Sequence, residues 1–115
     1  MKTQGIFSIS LDFELHWGCF EHMQKLSEKE KRYFINTRNT IPKLLSLFES
    51  YGIHVTWATV GMLYNLNVDE WKKNKPSLIP AFENHDVSAY EWVNKHGFFS
   101  EKDPFHFAPE LIQRI

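Results

Sequence analysis

Residues 6–18 read IFSISLDFELHWG, a hydrophobic run that ends in two carboxylates. Short apolar runs bounded by glycine are typical of strands in a parallel sheet, and such sheets bind ligands beyond the carboxyl ends of their strands. Asp12 and Glu14 are therefore expected at the end of the sheet where active sites usually lie. Because residues two apart on a strand point the same way, both carboxylates line one cleft wall if the strand continues through them. The alternative is that Asp12 caps a turn or helix and Glu14 is solvated.

Two helical patterns follow this stretch. Residues 27–30, SEKE, form a capping box that predicts the start of a charged helix running to about residue 38. Residues 40–52 carry an apolar stripe at helical spacing, which predicts a second helix. Pro42 would lie in its first turn, and Gly52 would supply the left-handed residue that ends it.

A second strand is predicted for residues 53–61, IHVTWATVG, which are rich in β-branched and aromatic residues. Strand, helix and strand in this order predict a right-handed parallel unit, with both strand ends on one side of the sheet. We therefore expect Asp12 and Gly61 to border a shared cleft. The strands, predicted at 5–12 and 53–60, are apolar on both faces, so we expect self-association through unpaired strand edges.

The remaining sequence has weaker patterns. Asn67 and Glu70 mark the start of a short helix, and the apolar stripe in residues 108–115 predicts another. Between these two helices, residues 76–104 show no sustained helical or strand periodicity. They contain a predicted turn at 84–86 and a predicted short helical segment at 89–93. Loops of such length are usually functional, so we expect this excursion to form one side of the cleft.

Composition excludes several classes of protein. The chain has 115 residues, 43% of them hydrophobic, which suits one domain that has a core but is short for a barrel. A formal net charge of -1 gives no electrostatic footprint for nucleic acid or an anionic membrane surface. The single cysteine, Cys19, excludes an internal disulfide and a cysteine zinc cluster, and it suits a reducing compartment.

The start of the chain does not resemble a targeting segment. Lys2 precedes an apolar stretch that is interrupted by serines and reaches Asp12 before any small-residue cleavage site. No apolar run approaches the ~20 residues that a membrane-spanning helix needs. We expect no signal peptide, no membrane span and a cytoplasmic location.

The histidines form no recognisable metal motif. The chain has 6 of them, and none is part of a His-x-x-x-His or His-Glu-x-x-His pair. A lone histidine is more often structural or solvated than a metal ligand, although His16 stands out because it follows Glu14 by two residues. The sequence also has no glycine-rich phosphate loop, serine nucleophile elbow or Cys-x-x-Cys pair.

Two blocks together, SLDFELHWG at 10–18 and TWATVG at 56–61, resemble the opening of the polysaccharide deacetylase family, the NodB-homology domain of carbohydrate esterases. The resemblance extends more loosely through SAYEW at 88–92 and HFAPELI at 106–112, so it covers nearly the whole chain. It implies an α/β fold, namely the N-terminal portion of a distorted, TIM-barrel-like parallel β/α barrel. Residues 1–115 would form an incomplete part of that domain.

The resemblance also implies a reaction, the hydrolysis of an N- or O-acetyl group from a sugar by a metal-bound water. Asp12 matches the family's general base. The family's next residue, a metal-binding aspartate, is Phe13 here, so Glu14 becomes the candidate ligand for a divalent metal such as Zn²⁺. His16 and Trp17 are the candidate substrate-binding residues.

The family's paired metal histidines and its later motifs have no counterpart in this chain, and we expect the isolated 115 residues to be inactive. Two alternatives stay open. One is a non-catalytic carbohydrate-binding or interaction module of the same fold, and the other is a metal-independent amidohydrolase.

Overall fold

The computed structural model describes residues 5–115, so Lys2 and the expectation attached to it lie outside the described residues. Two strands, β1 (Ser10–Phe13) and β2 (Thr56–Thr59), pair in parallel, which confirms the predicted direction. Both strands are shorter than the predicted spans 5–12 and 53–60. Ile6 is 97% exposed and has no strand partner, because β2 pairs with the chain only from about residue 9 onward.

The two strands are joined by one continuous helix, α1 (Glu28–Ser50), and the prediction of two helices is wrong. Pro42 lies inside α1 rather than in a first turn. A proline removes one helical hydrogen bond, but here the neighbouring Ile41 is buried in the core, so tertiary packing overrides the local cost. Both predicted end signals are confirmed: Ser27 forms the capping box, and Gly52 follows the helix with φ 61°.

The two faces of the sheet have different environments. Phe13 points into the core and is 2% exposed, and Leu11 and Trp57 share its face by strand alternation and register. This face packs against α1. The opposite face presents residues that are all exposed: Ser10, Asp12, Thr56 and Ala58. Among residues 5–115, nothing covers this second face.

Three shorter helices complete the described chain: α2 (Val68–Asn74), α3 (Ala89–His96) and α4 (Pro109–Ile112). The predicted start of α2 is confirmed, since Asn67 Oδ1 accepts from the Glu70 amide at 2.9 Å. The turn at 84–86 is a short 3₁₀ segment, His85–Val87. Thus the predicted excursion is irregular up to residue 84 and again from residue 97, and α3 is longer than the predicted 89–93.

No helix in the part of the chain that the structure describes combines the length and the apolar character needed to cross a membrane. A parallel β1–α1–β2 unit is the repeating element of β/α barrels, but two strands do not form a barrel. The barrel therefore stays a prediction.

Candidate active site at the end of β1

Asp12 lies one residue before the carboxyl end of β1, exposed on the uncovered face of the sheet. The strand stops at Phe13, and Glu14 has φ -130° and ψ -24°, which is no longer strand geometry. The side-by-side arrangement of Asp12 and Glu14 required a strand that continues through both residues, and this condition is not met. Strand alternation ends before it reaches the second carboxylate.

The turn after β1 is tight. Leu15 adopts a left-handed backbone conformation with φ 50°, although its side chain is buried. Such a conformation is unfavourable for a residue with a β-carbon and persists only where the surroundings impose it. Gly18 follows Leu15 by three residues, and the Glu14 carboxylate occupies the space in which a β-carbon at Gly18 would lie. Glycine is required at position 18 for this reason, and the Glu14 side chain is directed over the turn.

The described residues do not fit a divalent-metal site. Catalytic zinc normally takes about three protein ligands. Residues 5–115 contain no group of three or more His, Cys, Asp or Glu side chains arranged to hold a metal ion. Phe13, at the position where the resemblance implies a metal-binding aspartate, is buried in the hydrophobic core. The expected role of Glu14 as a metal ligand therefore has no support from the geometry.

His16 and Trp17 do not lie where a substrate could touch them. His16 is completely buried and Trp17 is 5% exposed, both within the hydrophobic core. Their side chains bind protein atoms instead: the indole Nε1 of Trp17 donates to the backbone carbonyl of His106 at 2.8 Å. Direct substrate binding by these two residues disagrees with their positions.

The feature at the centre of the core is a chain of three buried polar side chains, called here the histidine chain: Asp103, His106 and His16. Asp103 Oδ2 lies 3.0 Å from His106 Nδ1, and His106 Nε2 lies 2.8 Å from His16 Nδ1. His16 Nε2 then lies 2.7 Å from the carbonyl oxygen of Met23. All three residues have no exposed surface. Every ring nitrogen of the histidine chain is hydrogen-bonded, as buried polar groups require.

Burial also determines the ionisation of two groups beside the turn. The pKa of His16 is lowered chiefly by desolvation, against the opposing effect of its hydrogen bond to Met23. Desolvation raises the pKa of the Cys19 thiol, and the negative charge of Glu14 raises it further. A thiol with a raised pKa is a poor nucleophile, so Cys19 is not suited to covalent catalysis.

Two separate grooves border the strand ends. Asp12 is among the residues that line a groove of about 320 Å³ beside α1, together with Leu11, Tyr33 and Trp57. Gly61 contributes to a different groove of about 380 Å³. Asp12 and Gly61 thus line different grooves although parallel pairing places both strand ends at one edge, and their shared cleft stays a prediction.

The groove at Gly61 has an aromatic and cationic lining from Tyr64, Trp71, Lys75 and Tyr90. The Lys75 ammonium lies 5.4 Å from the ring centre of Tyr90 and 5.9 Å from that of Trp71. Tyr90 belongs to α3, so part of the predicted excursion does form a wall here. Aromatic faces beside hydrogen-bonding groups can bind polar ring-shaped molecules.

Comparisons with protein-family models, with curated proteins and with solved structures gave no match.

The sequence interpretation missed the histidine chain. His106 lies only in the looser part of the resemblance, and Asp103 belongs to none of the motifs. The spacing Asp-x-x-His is visible in the sequence, but its third member, His16, is 90 positions away. The only sequence signal was the position of His16 directly after a buried strand.

Proposed function

We propose that residues 1–115 are the first part of a carbohydrate deacetylase domain of the polysaccharide deacetylase type, with Asp12 as the general base. The observation that carries the proposal is the position of Asp12. It is an exposed carboxylate next to the carboxyl end of a parallel strand, on the sheet face opposite the buried Phe13. In β/α barrels the helices cover the outer face and the active site lies at the carboxyl ends of the strands.

In the proposed reaction a water molecule attacks the carbonyl carbon of an acetyl group on a sugar. Asp12 accepts the proton of this water as its oxygen bonds to the carbonyl carbon. The tetrahedral intermediate then breaks its bond to the sugar nitrogen or oxygen, which takes up a proton as acetate leaves. A positioned general base typically accelerates such a step by about 10²–10⁴-fold.

The described residues do not form a site for the metal that the resemblance implies. A divalent ion would supply charge stabilisation to the intermediate in the family. Asp12 and Glu14 would be too few ligands for it, and residues 5–115 bring no third candidate to them. The proposal for this chain is therefore restricted to the proton transfer at Asp12.

Further parts of the proposal follow from the sequence. The substrate is an acetylated carbohydrate, and nucleic acid is not a partner, given the balanced charge. The chain self-associates through its free strand edges, and the protein is located in the cytoplasm. Ile6 and Phe7, which are exposed immediately before β1, favour association.

The test is acetate release from acetylated chito-oligosaccharides by the full-length protein that contains these residues. Asp12→Asn should lower turnover by about 10²–10⁴-fold while leaving the fold intact. Asp86→Asn is the matched control, because Asp86 is an exposed aspartate in the 3₁₀ segment away from β1. Equal turnover of folded wild-type and Asp12→Asn protein would overturn the assignment.

A second candidate is a non-catalytic carbohydrate-binding module, and two observations favour it. The described residues form no metal site. The groove at Gly61 offers Tyr64, which is 58% exposed, beside the Lys75 ammonium. This candidate predicts that the same oligosaccharides bind without acetate release and that Tyr64→Ala weakens their binding.

A further inference from the structure

The positions of the protons in the histidine chain follow from its hydrogen-bond partners. The carbonyl oxygen of Met23 can only accept, so the Nε2 of His16, 2.7 Å away, carries a hydrogen. Burial disfavours a second proton on His16. Its Nδ1 is then an acceptor, and the hydrogen in the 2.8 Å contact belongs to the Nε2 of His106.

The other end of the histidine chain determines the state of His106. Asp103 Oδ1 accepts from the Phe105 amide at 2.9 Å, and Oδ2 accepts from the Phe99 amide at 2.8 Å. Two backbone donors favour the ionised carboxylate. A carboxylate can only accept, so the 3.0 Å contact with His106 Nδ1 requires a hydrogen on that nitrogen. Both ring nitrogens of His106 are then protonated, and the ring is a buried cation.

Aromatic rings surround this cation. The ring centres of Trp17 and Trp92 lie 4.6 Å and 5.3 Å from that of His106. Those of Phe98 and Phe99 lie at 5.4 Å and 6.0 Å. Aromatic faces within about 6 Å attract a cation, and the attraction is stronger where water is excluded.

The other charged and titratable groups near the histidine chain do not take its hydrogen bonds. They come from the turn after β1, from α1 and from α3, and they are Cys19, Glu30, Lys31, Arg38 and His96. Lys31 lies over the ring of Phe99, and Arg38 donates to the carbonyls of Pro104 and Phe107. The two nitrogens of His106 therefore interact with Asp103 and His16 alone.

The histidine chain connects two segments that are far apart in sequence. One is the turn after β1, which contains the left-handed Leu15, and the other is residues 103–108. The backbone makes a parallel connection, since the His16 amide donates to the Phe105 carbonyl at 3.1 Å. We propose that Asp103, His106 and His16 act as a proton-dependent clasp, which holds the turn after β1 closed while His106 is an imidazolium and releases it when His106 loses its proton.

The clasp is independent of the proposed deacetylase activity, because it concerns only the attachment of this turn. A neutral His106 keeps the Nδ1 hydrogen that faces the Asp103 carboxylate and loses the one on Nε2. The lone pairs of His106 Nε2 and His16 Nδ1 would then face each other, and the bond between the two rings would be lost. Leu15 would then relax from its left-handed conformation, and residues 15–23 would open. The closed state of the turn therefore requires that both ring nitrogens of His106 carry a proton.

Imidazole nitrogen NMR on the wild-type chain, labelled with ¹⁵N at histidine, tests the proton positions directly. Near pH 7 we expect His106 to show two protonated nitrogens and His16 to show one, at Nε2. A neutral His106, or a His16 protonated at Nδ1, would overturn the proposal. This experiment needs no substitution, so it decides even if the variants below do not fold.

Hydrogen exchange of the same chain tests the release. When the pH is raised until the His106 signals show loss of one ring proton, the amides of His16, Cys19 and Met23 should exchange at least about tenfold faster relative to the amides of α1. A hydrogen bond to a charged group is worth at least one factor of ten. An unchanged ratio would overturn the clasp.

The variant His106→Gln should show the same accelerated exchange already near neutral pH. Glutamine keeps one donor and one acceptor but cannot carry the charge. His85→Gln is the matched control, because His85 is exposed and lies in the 3₁₀ segment before α3. Protection of residues 15–23 in His106→Gln equal to that in His85→Gln would contradict a role for the proton.

Discussion

The two ends of the sequence DFELH, residues 12–16, lie in opposite environments. Asp12 is a carboxylate on an uncovered sheet face, with no hydrogen bond to another side chain among the described residues. His16, four residues later, is completely buried and bonded at both ring nitrogens. The difference shows how a short turn separates a group that is free to react from a group that holds the turn in place. Polar residues next to each other in sequence need not share a function.

The largest expected effect separates the buried aspartate from the exposed one. Asp103→Ala leaves the His106 cation buried without its partner, and such a loss typically costs about 3–5 kcal/mol of unfolding free energy. Asp12→Ala removes an exposed side chain, so its effect should stay within about 0.5 kcal/mol. Chemical denaturation of both variants measures the difference. Equal destabilisation would mean that Asp103 is not part of a charged pair, or that Asp12 is covered.

A smaller effect is expected for Trp17→Phe. The substitution keeps an aromatic ring beside His106 but leaves the His106 carbonyl without the indole donor. An unsatisfied buried acceptor costs about 1–3 kcal/mol. Trp57→Phe is the control, because Trp57 is only partly buried on the sheet. A Trp17→Phe variant as stable as Trp57→Phe would show that the hydrogen bond contributes nothing.

The pH dependence of stability provides a third comparison. Burial holds the pKa of His16 below its ordinary 6.5, so the native state keeps His16 neutral at a pH where the unfolded chain binds a proton. The unfolding free energy should therefore fall as the pH drops below 6.5, and this one group contributes at most about 1.4 kcal/mol per pH unit. Denaturation midpoints across this range measure the slope. A folded His16→Gln variant with an undiminished slope would assign the dependence elsewhere.

The sequence predicts the local features well because neighbouring residues determine them. The capping box at Ser27, the cap at Asn67 and the left-handed Gly52 were all recognisable, and the parallel pairing followed from their order. Pro42 misled the prediction of α1, because its cost is local whereas the burial of Ile41 depends on tertiary packing.

The sequence patterns do not predict the features that depend on contacts between distant residues. The end of β1 at Phe13 separated Asp12 from Glu14, and no residue in the pattern marks that end. The histidine chain depends on a contact between residues 90 positions apart. The burial of Trp17 follows from the same contact, since its indole bonds to His106. For this reason the candidate substrate contacts were misplaced while the candidate base, Asp12, was found at a strand end.

The most direct test of the proposed function is the effect of Asp12→Asn on the two kinetic constants of deacetylation by the full-length protein. A general base acts on the transition state, so kcat should fall by about 10²–10⁴-fold while KM for the acetylated oligosaccharide stays near its wild-type value. An unchanged kcat, or a change confined to KM, would contradict the assignment and leave Asp12 as a residue that binds sugar at most.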